Sequence, residues 1–463
     1  MAKPILLKSA AELLQRILDE KQPADRQMDS YFRAHAKLGG RDRGFVAETV
    51  YGCLRQRRLL EHVADRSDSA SLVAAFLLTE GHSARALEEA GYRSDARAMA
   101  ERLRALDRAS LPFAVRANLP DWLAERLRAQ FGDAEAEALA QSLNHPAPVD
   151  LRVNTIKAER DAVQARLARD GFVCEPTPYS PAGLRRADRA PLFHTSCFKE
   201  GLFEVQDEGS QLLSVLLEPR RQEMVVDFCA GAGGKTLHLG ALMANTGTVY
   251  AFDVSPRRLE RLKPRLKRAG LDNVRAVAIA HERDARVQRL HGKIDRVLVD
   301  APCSGTGTLR RNPDIKWRAI DLAELTAAQR RILAAAAELV KPGGRLVYAT
   351  CSLLREENED IVEEFLRAHA EFHVVPVNEI LERRHIVLSL GSPRPSPALT
   401  LIPSPASQER EASRGAHGAR SFTLAEGESE ASPLHGRALR LLTHRHHTDA
   451  FYAVALERQA KPA

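Results

Sequence analysis

The chain has 463 residues, 44% hydrophobic and 28% charged, and carries a net charge of +7. It is too long for one compact domain, and its composition excludes a wholly disordered or collagen-like protein. No apolar run reaches the ~18 residues of a membrane span, and charges interrupt the start MAKPILLKSAAELLQRILDE before any signal-peptide core can form. A cytoplasmic, monomeric protein without membrane association is expected. The six cysteines, Cys53, Cys174, Cys197, Cys229, Cys303 and Cys351, are scattered with no C-x-x-C pair. That pattern suggests free thiols in a reducing compartment rather than a disulfide framework or a zinc module. The basic balance suggests a polyanionic partner, most commonly nucleic acid, although a basic surface alone would look the same.

Residues 1–110 read as helical. Ala10, Leu13, Leu14, Ile17 and Leu18 make one stripe, and Phe45, Val46, Thr49, Val50, Cys53 and Leu54 another. Residues 120–143 add two helices broken at Phe131-Gly132-Asp133, which closes a helical domain over 1–140. A strand at 151–155, a helix at 158–169, and strands at FVCEP and 201–206 predict a small α/β unit over 145–205. From 206 the alternation enlarges, with strands at 223–228, 248–254, 274–279, 294–300 and 345–350. The intervening helices predict a doubly wound, Rossmann-like parallel sheet over 206–460. Ser, Pro and Gly fill 20 of residues 386–436, so that stretch reads as a disordered insertion. ALRLLTH and DAFYAVALER then read as two closing strands.

Three places carry chemistry. The first is the turn Asp227-Phe-Cys-Ala-Gly231-Ala-Gly233-Gly234-Lys235-Thr236, between a strand and a helix. Its glycines let backbone approach a ligand, and the helix start offers free N–H groups. A Walker A loop would need glycine at Cys229, and a dinucleotide fingerprint would need it at Thr236. Asp253 ends the next strand, where an acid accepts hydrogen bonds from a ribose diol. Together these fit the adenosine half of S-adenosylmethionine. Asp284 follows the third strand and could face the adenine side. The second and third places are Asp300-Ala-Pro-Cys303-Ser-Gly and Ala349-Thr-Cys351-Ser, at the carboxyl ends of the fourth and fifth strands. Two cysteines at one rim are poorly explained as core filler.

VVDFCAGAGGKTLHL, VDAPCSGTGTLRRNPDIKW and YATCSLLREENE resemble the RNA cytosine-C5 methyltransferases, in particular the bacterial RsmB type acting on 16S ribosomal RNA. The resemblance runs from about residue 145 to the end, apart from the insertion, and RLLTHRHHTDAFYAV is similar to the closing motif. RDRGFVAETVYGCLR is similar to the NusB-like RNA-binding domain that precedes the catalytic part in this type. Two positions depart from the pattern. Gly231 and Ala232 stand where the first motif usually has Ala-Pro, which loosens that turn, and Arg283 precedes Asp284 where glycine is usual.

The resemblance implies Cys351 as nucleophile, Cys303 as helper in product release and Asp300 near cytosine and cofactor. It places S-adenosylmethionine on Cys229, Ala230, Gly231, Ala232, Gly233, Gly234, Lys235, Asp253 and Asp284. Lys235 can also favour a thiolate. Arg310, Arg311 and Lys316, beside the Cys303 loop, are the candidates for RNA contact. The basic helix 256–269 suits phosphates and equally a solvated face. His444, His446 and His447 read as a substrate-edge loop and not as a metal site. The same chemistry on transfer RNA or another ribosomal site stays open, as does a non-catalytic RNA-binding or assembly role.

Overall fold

Helical spacing holds through the first hundred residues. The computed structural model, which describes residues 3–20, 22–187, 190–388 and 434–460, has helices there at Pro4–Asp19, Ala24–Ala34, Gly40–Ala64, Ser69–Thr79, Ala84–Glu89 and Ala96–Ala105. Their apolar stripes close on one core around Leu13, Leu14, Val50, Leu54, Leu72 and Leu77. Gly52 permits the closest approach in it, since a Cβ there would stand 2.1 Å from the Phe76 ring.

Asp121–Leu143 is one long helix interrupted at Gly132, whose φ of 73° and ψ of 168° lie outside the helical region. This helix, expected to close the helical domain at residue 140, packs away from the bundle. The bundle core ends near Leu106, whereas Leu123, Leu127, Leu139 and Leu143 pack on Leu309, Leu353, Leu354 and Leu442. Periodicity marks a buried face but not which part of the chain buries it.

Strands β1 (Val149–Val153), β2 (Glu175–Pro176), β3 (Gly183–Arg186) and β4 (Phe203–Val205) form an antiparallel sheet ordered β2-β3-β1-β4. Val163 and Leu167 of helix Arg160–Arg169 cover it, meeting Leu151, Leu184 and Phe203. Strand β3 is not expected from the sequence, because GLRR offers one apolar side chain and no alternation.

The large sheet comprises β5 (Met224–Asp227), β6 (Thr248–Asp253), β7 (Val274–Ala278), β8 (Ile294–Asp300), β9 (Val340–Thr350), β10 (Phe372–Val375), β11 (Leu439–Leu441) and β12 (Phe451–Arg458). Its order is β10-β12-β9-β8-β5-β6-β7, with β11 also on β12. Strands β5 to β9 are parallel, and β12 runs antiparallel to β9, β10 and β11. The parallel strands are apolar on both faces because helices cover both. Leu237 and Leu262 lie on one side, and Leu333, Ile361 and Phe365 on the other. The predicted strand at 345–350 begins earlier, at Val340, across a register slip that leaves Lys341–Gly344 as a bulge.

Of the stretch 386–436 read as an insertion, residues 389–433 lie outside the described residues. Its described ends belong to the fold: Ile386 and Leu434 are buried in the two flanking cores. Among the described residues no helix is long and apolar enough to cross a membrane. Parallel strands put their carboxyl ends on one edge, so Asp227, Asp253, Asp300 and Thr350 share a rim.

Candidate active site

The glycine turn after β5 is bound tightly despite its departure from the usual motif. The Ala230 amide donates to Phe252 O at 2.8 Å, the Gly233 amide to Ala230 O at 2.8 Å, and the Gly231 amide to Asp253 Oδ2 at 2.8 Å. Arg265 donates to Ala232 O. Gly231 has φ of 57°, and nothing lies within 4 Å of where its Cβ would be, so the backbone is open to a ligand there. Gly233, at φ 86°, is required by packing: a Cβ would meet Leu262 at 2.2 Å. Helix Gly234–Leu242 starts directly behind it.

The acids around this turn differ in their bonding. Asp253 accepts from the Gly231 amide and, at 2.7 Å, from the Ser255 amide. Asp284 accepts from the Ala280 and Arg286 amides, both at 2.9 Å, which cap the short helix Ala285–Gln288 and hold its carboxyl at about 2. Asp227 is buried and accepts from the Thr236 hydroxyl at 2.7 Å, and its second oxygen has no partner. Burial pushes it up to about 7, against the Thr236 bond and the Lys235 charge.

Across the rim, Lys235 Nζ donates to Asp300 Oδ2 at 2.7 Å. Burial works against the lysine's charge, but the Asp300 carboxylate outweighs it and the pKa rises. Cys303 Sγ and Cys351 Sγ lie 3.4 Å apart, both partly exposed. The Cys303 thiol is pushed well up, first by its hydrogen bond to Cys351, then by burial and nearby negative charge. Cys229 lies within the turn, and burial raises its thiol as well. Two adjacent thiols with an ammonium–carboxylate pair on the same rim suit nucleophilic chemistry beside a bound nucleoside.

The family described as 16S rRNA methyltransferase RsmB/F matches residues 214–457, just over half the chain, and the RsmF/B-like ferredoxin-like domain matches residues 119–191. A probable ribosomal RNA small subunit methyltransferase B of Synechocystis sp. is 32% identical over 371 residues, which cover 72% of this chain and 83% of that protein. The chain belongs to the RsmB/F family. The solved structure of PH0851 aligns with a TM-score of 0.72 at 27% identity over 99% of both chains. A methyltransferase homolog from Pyrococcus horikoshii aligns at 0.58 with 28% identity, covering 76% of this chain and all of the other.

Within this RsmB/F chain, the expected RNA contacts Arg310 and Lys316 are buried, whereas the Arg311 side chain is 27% exposed. Arg310 Nε donates to Asp449 Oδ1 at 2.6 Å and Arg310 Nη2 to Asp207 Oδ2 at 3.2 Å, and Arg311 pairs with the same two acids. Lys316 is 2% exposed and donates to Arg55 O, Asn118 O and Asn144 Oδ1. With Trp317 Nε1 on Leu54 O at 2.8 Å and the Ala24 amide on Asp314, it ties the helical bundle to the sheet domain. Carboxylates and carbonyls take up Arg310 and Lys316, and Arg311, paired with the same two acids, keeps an exposed edge. Two of the three histidines, His444 and His446, are held structurally. His444 bonds Glu135 at 2.7 Å, and His446 is buried against the Leu442 backbone. No metal-holding group occurs among the described residues. On the basic helix, Arg265 and Arg268 pair with Glu204, while Arg257, Arg261 and Lys267 stay exposed.

Glu357 carries almost no signal in the sequence. It is fully buried and accepts from the Ser304 and Ser352 hydroxyls, the residues that follow the two cysteines. The only local signal was that each cysteine is followed by serine.

Proposed function

We propose that the protein methylates C5 of a cytosine in 16S ribosomal RNA through a covalent adduct between Cys351 and C6. The observation that carries this reading is the 3.4 Å approach of Cys303 and Cys351 beside the Lys235–Asp300 pair. The fit of S-adenosylmethionine is supported by the open, left-handed Gly231 and by Asp253 at the end of β6. The Cys229–Lys235 loop and Asp253 would hold it, with Asp284 shaping the loop on the adenine side. When bound, it supplies the electrophilic methyl group that C5 takes up.

C5 of cytosine is too electron-poor to react unaided. The Cys351 sulfur, as thiolate, forms an Sγ–C6 bond, and the C5=C6 electrons make C5 nucleophilic. Asp300 faces the N3/N4 edge of the base. After methylation a base, water or a rim carboxylate, takes the C5 proton, its bonding pair restores C5=C6, and the Sγ–C6 pair returns to sulfur. Cys303, kept as a thiol, assists this release by donating to the Cys351 sulfur. A base in a duplex is out of reach, so the target cytosine is unpaired or flipped. The N-terminal helical domain adds RNA affinity.

The cysteines test the reading. Cys351→Ala should form no adduct and no product. Cys303→Ala should still attack and methylate but release slowly, leaving an RNA–protein adduct on denaturing gels. The reverse pattern would exchange the roles, and methylation intact in both variants would remove covalent catalysis. Bisulfite sequencing of RNA from a deletion strain identifies the target. Loss of a methylated cytosine from transfer RNA alone would overturn the ribosomal assignment.

A further inference from the structure

Glu357 sits in the turn Arg355–Glu357 between β9 and helix Glu359–Ala368, with no exposed surface. A buried carboxylate is ordinarily paired with a cation. Here four neutral donors surround it instead. Oε1 accepts from the Ser304 amide at 2.8 Å and from Gln329 Nε2 at 3.0 Å, and Oε2 accepts from the Ser304 and Ser352 hydroxyls. Ser304 follows Cys303 at the end of β8, and Ser352 follows Cys351 at the end of β9. The two hydroxyl oxygens are 3.1 Å apart, close to the 3.4 Å between the thiols. Gln329 also donates to Pro302 O at 2.9 Å, and the Tyr348 hydroxyl fixes the Glu357 carbonyl at 2.8 Å.

We propose that Glu357 is a positioning residue that holds the Cys303 and Cys351 loops in register, setting the separation of the two thiols. This rests on the reading that those cysteines carry the chemistry. One carboxylate gripping the residue after each thiol couples two loops that are otherwise 48 residues apart in the chain. Apolar packing could fill the same space, but it would not orient two hydroxyls toward one point. The charge also acts on Cys303, whose thiol is raised by the Cys351 bond and burial, with Glu357 contributing.

The test uses the full chain. Glu357→Gln should slow single-turnover methylation by about 10²-fold, as expected for misplaced reacting groups, and leave the KM for S-adenosylmethionine unchanged. Site-resolved alkylation against pH should show the Cys303 midpoint falling. Two milder variants cover the case in which Glu357→Gln fails to fold. Ser352→Ala should slow adduct formation by about tenfold, and Ser304→Ala should form the adduct normally but break it down slowly. A folded Glu357→Gln with an unmoved Cys303 midpoint and unchanged methylation would overturn the proposal. So would serine variants that change thermal stability alone. If Cys351→Ala and Cys303→Ala both methylate normally while Glu357→Gln still moves the Cys303 midpoint, the covalent reading fails and the clamp stands.

Discussion

Lys235, at the rim, and Lys316, at the seam between the helical bundle and the sheet domain, are both enclosed, and burial acts to strip either of its proton. Their partners differ. Lys235 meets the Asp300 carboxylate at 2.7 Å, and its pKa rises above the ordinary value. Lys316 meets only carbonyl and amide oxygens, so burial, reinforced by the Arg55 charge nearby, pushes it down to about 7. A buried ammonium with a carboxylate keeps its charge for chemistry. One without it fastens three parts of the chain, but it can donate to all three oxygens only as the ammonium, so burial and hydrogen bonding pull its proton in opposite directions.

The strongest way to break the distinction between rim and seam is to cut the chain. A fragment of residues 141–463 should be insoluble, because it strips Leu123, Leu127 and Leu139 from Leu309, Leu353 and Leu442. Each such side chain is worth about 1.5–3 kcal/mol, against a total stability of about 5–15 kcal/mol. A fragment of residues 111–463 keeps that core and should fold and bind S-adenosylmethionine by calorimetry. Equal behaviour of both fragments would place the domain boundary at residue 140.

The lysines themselves come next. Lys235→Met should cost about 10²–10³ in turnover, with the melting temperature little changed. Lys316→Met should do the opposite. It leaves three buried oxygens without their donor, at about 1–3 kcal/mol each, and should open the seam to limited proteolysis while cofactor binding survives. If Lys316→Met lost activity with the seam intact, Lys316 would belong to the site.

Stability against pH sharpens the contrast further. The folded pKa of Lys316 is below its unfolded value, so the unfolded chain binds more protons between about pH 7 and 10. Stability contributed by this group therefore rises with pH through that window and is lowest below it. Asp227 is an acid raised to about 7, so its burden is absent at pH 4 and complete above pH 7. Asp227→Asn should remove that fall in stability, on the order of 4 kcal/mol, and Lys316→Met should flatten the rise. Denaturant melts from pH 4 to 10 check both slopes.

The smallest effect belongs to the insertion. Replacing residues 389–433 by a short Gly/Ser linker should leave activity and melting temperature nearly unchanged. Extending the replacement to Ile386 and Leu434, which are buried, should lower the melting temperature measurably.

Much of the rim was legible in the sequence. The run Met224–Asp227 into a glycine turn, Asp253 ending the next strand, and Cys303 and Cys351 after β8 and β9 are local patterns, each written within a few consecutive residues. Strands without alternation, such as β3, are not expected for the same reason. Arg310 and Lys316 are buried against the expectation, because charge in a loop beside a thiol resembles a phosphate-binding surface until its partners are known.

What the sequence determined by itself is the set of elements and the order in which their chemistry-bearing ends arrive. Hydrophobic period, glycine conformation and the parallel sheet place those ends on one edge without knowledge of distant contacts. Tertiary structure alone decided which way the polar side chains face. Lys316 finds Arg55 261 residues away, Arg310 finds Asp449 139 residues away, and Glu357 reaches back 53 residues to Ser304. A buried charge is tolerated only where such partners converge, and no local pattern records a partner that far along the chain.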